Sequence, residues 1–406
     1  MNILLISHFV PYPLTSGALQ RNYNLLREIS KQHTVYMVTL TQKALLSTIN
    51  ALQNAQDHVA PFCKTIAVFE IPSDKSKVGL GILLLLNLIK STPYSVDRFY
   101  SKKMKVEIES VLKEKTIDVI HIDTIDLMQY VPKENKVPVV LNHHNIESAL
   151  LTRRAKNAKN PFTKLYAYVQ AFKLKSYEKK MMPQAKVNIA VSDIDIQGFK
   201  KICPNANYQV VENGTDTEYF TPLGSWKEPI LIFAGGLNWY PNKDGMLYFC
   251  TKILPIIAKA IPNVLLQIIG QDPPKEFTQL AAQGLPIKVI GFVPDIRDYF
   301  ANAAIQVVPL RVGGGTRLKI LDALAMGKAV VSTSVGAEGL KLTPGKDLLI
   351  ADTIEIFAQV VIELLGNMDK RIQLGAHGRA TIESEYSWHV IGPKLTGIYD
   401  IARRYT

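Results

Sequence analysis

Cysteine is scarce: Cys63, Cys203 and Cys250 are the only three in 406 residues. They are too scattered to ligate a metal or frame a disulfide scaffold, and they read as reduced thiols in a cytoplasmic protein. Long hydrophobic runs are scarce as well. Residues 1–7 are apolar only briefly before Pro11, Pro13 and Gly17 intervene, so no secretory signal is expected there. The apolar stretch 78–89 falls short of the ~20 residues that span a bilayer. It reads as a buried core helix, with an interfacial membrane contact as the competing account. Acidic residues are nearly missing from 153–186, where ten Lys and Arg face only Glu178. No Gly-Lys-Ser/Thr closes a Walker loop and no Gly-x-Gly-x-x-Gly marks a dinucleotide fold, which excludes the two commonest phosphate-binding signatures.

What is present begins with charge. There are 47 Lys and Arg against 35 Asp and Glu, a net charge of +12. An excess of this kind points to an acidic partner. In 153–186, which runs from Arg153 to Lys186, Phe162, Tyr166, Tyr168, Phe172 and Tyr177 are interleaved with the cations. An anionic membrane surface is the favoured partner of this block and a polyanionic acceptor the second. No nucleic-acid module is present, so nucleic acid is not expected.

A chain of 406 residues, 47% hydrophobic, exceeds the size at which one core stops growing, so two domains are expected. Strand-like and helix-like stretches alternate, the pattern of α/β sheets with parallel strands. Strands are expected at 2–9, 34–40, 117–122, 137–142 and 187–191. After Asn213-Gly214 the pattern restarts, with strands at 230–234, 264–269, 288–290, 305–308 and 329–332.

The most informative stretch is 313–327. Gly313, Gly314 and Gly315 follow a buried strand, and Thr316, Arg317, Leu318 and Lys319 then open a helix with Leu318, Leu321, Leu324 and Ala325 on helical spacing. Bare glycine backbone at a helix N-terminus is an anion site, and Arg317 and Lys319 add full charges to it. A phosphate-sized anion is expected there. Arg317 is the better clamp because its planar fork binds bidentately, and Lys319 the weaker one. His121, His143, His144 and Asn145 fall at the C-terminal ends of strands in the first half, where open parallel sheets bind ligands. Metal binding by His143 and His144 is not expected, since neighbours on an extended strand point to opposite faces.

Strand, glycine loop and the run Leu321-Asp322-Ala323-Leu324-Ala325-Met326-Gly327 resemble the donor-nucleotide site of GT-B glycosyltransferases of family four, in a Gly-Gly-Gly-Thr-Arg-Leu-Lys variant. Segment 211–216 with Phe220-Thr221-Pro222 resembles that family's interdomain linker. Segment 290–295 resembles its nucleobase loop, and 334–340 its loop under the donor sugar and phosphate. The resemblance implies two Rossmann-like, doubly wound α/β domains facing across a cleft. The acceptor-side domain would be 1–212, the donor-binding domain 213–385, and 386–406 a helix crossing back. It implies that Asp322 holds the ribose hydroxyls and that Gly314 replaces a glutamate that contacts the transferred sugar. It implies donor contacts at Gly17, Gly236, Lys243, Phe292, Val293, Glu338 and along 313–319; the charge of Arg317 and the strand-end positions of the histidines assign Arg317, His121 and His144 catalytic roles and put His143 and Asn145 on the acceptor side. No Asp-x-Asp stands where the donor would sit, so no resident metal or cofactor is expected, and cationic side chains with the helix dipole carry the diphosphate.

The activity implied is a retaining, hexosyltransferase-type reaction. It would move a sugar from a nucleotide-sugar donor to a glycan or lipid-linked acceptor, in cell-surface polysaccharide or glycolipid assembly. The expected location is cytoplasmic or peripheral on the inner face of the cell membrane. Two other readings stay open. One is a GT-B sugar-nucleotide epimerase. The other, motivated by Gly314, is an inactive nucleotide-sugar-binding, membrane-associated assembly protein.

Overall fold

The computed structural model describes residues 1–404 except 44, 47, 76, 159, 225–227, 238 and 314. It resolves into two compact units, Met1–Glu212 with Ile391–Thr406, and Asn213–Val390.

The first unit is built on β1 (Asn2–Ser7), β2 (Thr34–Thr41), β3 (Thr65–Glu70), β4 (Val119–Ile122), β5 (Val139–Asn142), β6 (Val187–Ala190) and β7 (Tyr208–Val210). They form one parallel sheet in the order β3-β2-β1-β4-β5-β6-β7, with Ile3 opposite Val119 and Ile120 opposite Val139. A parallel sheet covered by helices on both faces selects unbroken runs of branched apolar residues rather than alternation. Ile3, Leu4, Leu5 and Ile6, and Val139, Val140 and Leu141, are such runs and are buried. The helix Trp388–Arg404 contributes Ile391, Leu395, Ile398, Tyr399 and Ala402 to this interior on one helical stripe.

The second unit is built on β8 (Ile230–Ala234), β9 (Leu265–Ile269), β10 (Ile287–Gly291), β11 (Ile305–Val308), β12 (Ala329–Ser332) and β13 (Leu349–Ile350), again parallel, in the order β10-β9-β8-β11-β12-β13. Strand side chains alternate faces, so two cores form. Leu231, Phe233, Leu266, Ile305 and Val307 pack with Phe249 and Phe357 on one side. Ile230, Ile232, Val308 and Val330 pack with Ile320, Leu321 and Leu324 on the other. The second group contains the inner stripe of the helix Leu318–Ala325, which holds the preceding glycine loop at the end of β11.

One sequence expectation is overturned here. The apolar stretch 78–89 does form a helix, Lys77–Asn87, but it is not a core helix. Leu85 is 69% exposed and Ile89 88% exposed, and Ile82, Leu86 and Leu88 are exposed with them. Periodicity identifies a helix, whereas burial depends on what the rest of the chain places against it.

Candidate functional site

Open parallel sheets bind ligands beyond the C-terminal edge, at the point where strand order reverses. In the first unit the reversal lies between β1 and β4. Ser7 and His8 leave β1, Asp123 follows β4, and Asn142 and His144 lie at the end of β5, so three adjacent strands deliver polar side chains to one place. Asp123, 1% exposed, is their common acceptor. His8 Nδ1 lies 3.0 Å from its Oδ2 and His144 Nε2 2.9 Å from its Oδ1, while Ser7 Oγ (3.3 Å) and Asn142 Nδ2 (3.4 Å) donate to the same carboxylate. Burial alone would raise this carboxyl, but the charges and hydrogen bonds of His144 and His8 outweigh it and hold it well below its ordinary value. An anion between two imidazoles orients both rings and keeps a proton on the nitrogens that face it. Buried Arg21 braces the floor, donating from Nη2 to Asn142 Oδ1 at 3.1 Å and from Nη1 to the Glu212 carbonyl at 2.8 Å.

His8 and His144 line a pocket of about 280 Å³ together with Tyr94, Arg98, Asp126, Asn145 and Glu147. Burial lifts the Glu147 carboxyl to about 8, with Asp126 and Glu178 adding to the effect. The lining therefore mixes hydrogen-bond donors and acceptors with one aromatic wall, which suits a polyhydroxylated molecule.

The structure separates the histidines named from the sequence. His144 and Asn145 line the pocket. His121 does not: it is 5% exposed, and its Nδ1 lies 2.7 Å from Tyr399 Oη. It ties β4 to the helix Trp388–Arg404, and its expected catalytic role is withdrawn. His143 is 3% exposed, 3.1 Å from Asn188 Oδ1 and packed on Phe199, so it too is a core residue rather than an acceptor contact. Backbone alternation is the reason, since His143 takes the face opposite His144. Sequence reasoning missed His8 and Asp123, although both lie just past strand ends and the rule that drew attention to His144 covers them equally. Gly17 opens the helix Gly17–Ser30 and is exposed, with Ser16 capping the backbone N–H of Leu19.

In the second unit the reversal lies between β8 and β11. Gly235 has φ +152° and Gly270 φ +159°, and a Cβ on Gly270 would collide with the Gly235 carbonyl. Glycine alone lets these two loops meet backbone to backbone. From the β11 side, Arg317 is 6% exposed; its Nη2 donates to the Val335 carbonyl at 3.0 Å, and its Nη1 to the Gly315 carbonyl. The same Nη2 lies 4.0 Å from the carboxylate of Glu338, which is exposed. Arg317 thus joins the glycine loop to the loop after β12. A Cβ on Gly313, at φ +150°, would lie 3.1 Å from that guanidinium.

Lys319 turns inward to the loop after β8. Its Nζ donates to Asn242 Oδ1 at 2.7 Å and sits 4.2 Å over the Phe233 ring. Burial, helped by the Arg317 charge, draws its ammonium down to about 7. Asp322 accepts from Thr215 Oγ1 at 2.7 Å, and burial, with Asp216 adding, raises its carboxyl to about 7. Lys243 is corrected: its Nζ forms a 2.6 Å ion pair with Glu276 and does not stand with Arg317 and Lys319. Gly236 is exposed, and its carbonyl accepts from Asn242 at 2.7 Å. Phe292 is 62% exposed just past β10, while Val293, Gly315, Thr316 and Leu318 are half-buried. Gly314 lies outside the described residues.

Burial draws His121 and His143 down to about 4. Each ring stays neutral in the fold at pH values where the unfolded chain, with imidazoles near 6.5, takes up protons. Their contribution to stability is therefore full above about 6.5 and is lost as the pH falls toward about 4. His143→Gln is expected to flatten the fall of Tm across that window in circular dichroism melts. An unchanged slope would show that His143 titrates normally in the fold.

Known proteins share this architecture. The fold is similar over its whole length to sucrose-phosphate synthase from Thermosynechococcus elongatus, with TM-score 0.71, 16% identity and 100% of both chains covered. It is similar to HepE of Anabaena in complex with UDP, with TM-score 0.67, 14% identity, and 99% of this chain and 100% of that chain covered. The profile of the family described as glycosyl transferases group 1 matches residues 228–367. The chain has the GT-B fold. The chain is 25% identical over 246 residues to a GDP-mannose-dependent monoacylated alpha-(1-6)-phosphatidylinositol monomannoside mannosyltransferase of Corynebacterium glutamicum, covering 54% of this chain and 63% of that protein. It is 22% identical over 232 residues to spore coat protein SA of Bacillus subtilis, covering 53% and 59%. The chain thus spans less than two thirds of the length of either relative. The family match contains Arg317, Lys319, Asp322 and Glu338.

Proposed function

We propose that this chain is a retaining hexosyltransferase of the group 1 family that moves a sugar from a nucleoside diphosphate sugar to a hydroxyl of a saccharide or lipid-linked saccharide, in cell-surface polysaccharide or glycolipid assembly. It would work in the cytoplasm or at the inner face of the cell membrane. The observation that carries this reading is the pair Arg317, buried, and Lys319, half-buried, two basic side chains at the strand reversal of the second unit, beside the glycine loop.

In the reaction, the bond between sugar C1 and the diphosphate oxygen breaks and its electron pair leaves with the diphosphate. The acceptor oxygen forms the new bond at C1 on the same face, and the departing phosphate oxygen takes the acceptor's proton. Negative charge grows on the leaving group, where a positioned cation counts most. Arg317 is assigned to that diphosphate, with Lys319 beside it, and Asp322 to the ribose. The pocket of the first unit is assigned to the acceptor, with His144, oriented by Asp123, holding a sugar hydroxyl.

The Corynebacterium glutamicum relative is named for GDP-mannose, and HepE was solved with UDP and with UDP-glucose, so these are the donors to try first. A thermal-shift screen of GDP-mannose, UDP-glucose and the free diphosphates, followed by a diphosphate-release assay with acceptor, tests the assignment. One donor is expected to raise Tm, since ligand at a hundred times Kd stabilises by about 2.7 kcal/mol. No shift and no release with any nucleotide sugar would sink it. Asp322→Ala is expected to weaken free diphosphate and nucleotide sugar alike by roughly 1–3 kcal/mol in calorimetry, through lost charged hydrogen bonds. Unchanged affinity would leave Asp322 as a partner of Thr215 alone.

A further inference from the structure

We propose that the face made by the helices Lys77–Asn87 and Pro161–Met181 of the first unit inserts into the interfacial layer of an anionic lipid bilayer. This deepens the reading of a membrane-associated transferase, on which it rests for the identity of the surface.

The apolar part is drawn from two neighbouring helices. Leu85, Leu86, Leu88 and Ile89 are exposed at the end of the first helix and just beyond it, and Phe162 (82%), Leu165 and Phe172 (74%) on the second. The two sets are joined. Lys173 Nζ donates to the carbonyls of Asn87 at 2.6 Å and Leu88 at 3.3 Å, and Gln170 Nε2 donates to Asn87 Oδ1 at 2.8 Å. These bonds pin the Leu88-Ile89 turn beside the turn of helix that carries Phe172. Water-soluble surfaces rarely leave this many large apolar side chains uncovered on neighbouring helices without a partner.

The charge pattern selects the partner. Phe162, Leu165 and Phe172 are spaced to share one helical stripe, and Lys175 and Lys179, three and seven residues beyond Phe172, continue it as exposed cations. Lys164 and Lys180 are exposed on the same helix, and Lys156 is exposed on the helix Glu147–Asn157 that packs against it. An apolar protein surface has no use for these lysines, whereas an anionic headgroup layer above an acyl layer matches both parts. Among the described residues no helix is long and apolar enough to cross a membrane, so the face would lie in the interface rather than span it.

The test uses the full chain and sedimentation with vesicles of equimolar phosphatidylglycerol and phosphatidylcholine, or of phosphatidylcholine alone. Wild type is expected to sediment with the anionic vesicles. Leu85→Glu, Ile89→Glu and Phe172→Glu combined are expected to lower that binding by about tenfold or more. Lys175→Glu with Lys179→Glu is expected to abolish the preference for phosphatidylglycerol. Ile256→Glu, an exposed position on the second unit, is expected to change nothing. Circular dichroism melts confirm that each variant is folded, and sugar transfer to a soluble acceptor separates a lost membrane contact from a lost active site. Wild type that ignores both vesicles, or a triple variant that binds like wild type, overturns the proposal. So does self-association in sedimentation equilibrium that the triple variant abolishes while vesicle binding persists, because the face then belongs to a second copy.

Discussion

Arg317→Ala is expected to lower kcat on the order of a hundredfold, the scale of removing one preorganised stabiliser of developing charge. The diphosphate gains charge as the glycosidic bond breaks, so a guanidinium held in place favours the transition state over the bound donor. The structure adds a second reason. The guanidinium also accounts for two carbonyls, those of Gly315 and Val335, and its loss releases the glycine loop from the loop after β12. Arg317→Lys keeps the charge but cannot make the fork, and should cost turnover more than donor affinity. Lys319→Ala should be milder, because burial has already drawn its ammonium to about 7 and it carries only part of a charge at neutral pH. Steady-state kinetics with separate kcat and KM decide the matter. A defect confined to KM, or equal losses at both positions, would mean that the clamp has been assigned to the wrong side chain.

The second large effect is expected at Asp123. Asp123→Asn keeps the shape of the side chain but removes the anion that His8 and His144 share, and it places an amide donor against a ring nitrogen that now carries a proton. Turnover is expected to fall on the order of a hundredfold, the scale of a misplaced substrate hydroxyl. Asp123 acts through His144 in this scheme, so its role is positioning. The double variant Asp123→Asn, His144→Ala should then be little worse than His144→Ala alone. Additive losses in kcat would assign Asp123 to the stability of the strand ends instead, and melts of the single variant read that contribution directly.

The central strands were legible because a parallel sheet buried on both faces needs apolar runs, which β1, β5 and β8 carry unbroken and β4 and β11 carry around one buried polar residue each, His121 and Gln306. The edge strands β3, β7 and β13 escaped notice. Only two or three residues long in the latter two cases, and half-buried in all three, they carry too little periodic signal to separate from loop. The glycine loop and Arg317 were legible for a local reason, since glycine, cation and helix start are adjacent in the chain. Lys243 was misplaced for the opposite reason. Its partner is Glu276, thirty-three positions away, and nothing near Lys243 announces it.

By itself, then, the sequence determined two α/β halves, the chain positions of their main strands, the adjacency of glycines and cations at 313–319 and the basic block at 153–186. Tertiary structure alone decided that residues 8, 123 and 144 meet, that His121 and His143 do not join them, and that the apolar helix Lys77–Asn87 faces outward. Each of the first set depends on neighbours in the chain. Each of the second depends on which strand end lies beside which, and on which element covers which face, and those adjacencies follow from the packing of the whole unit.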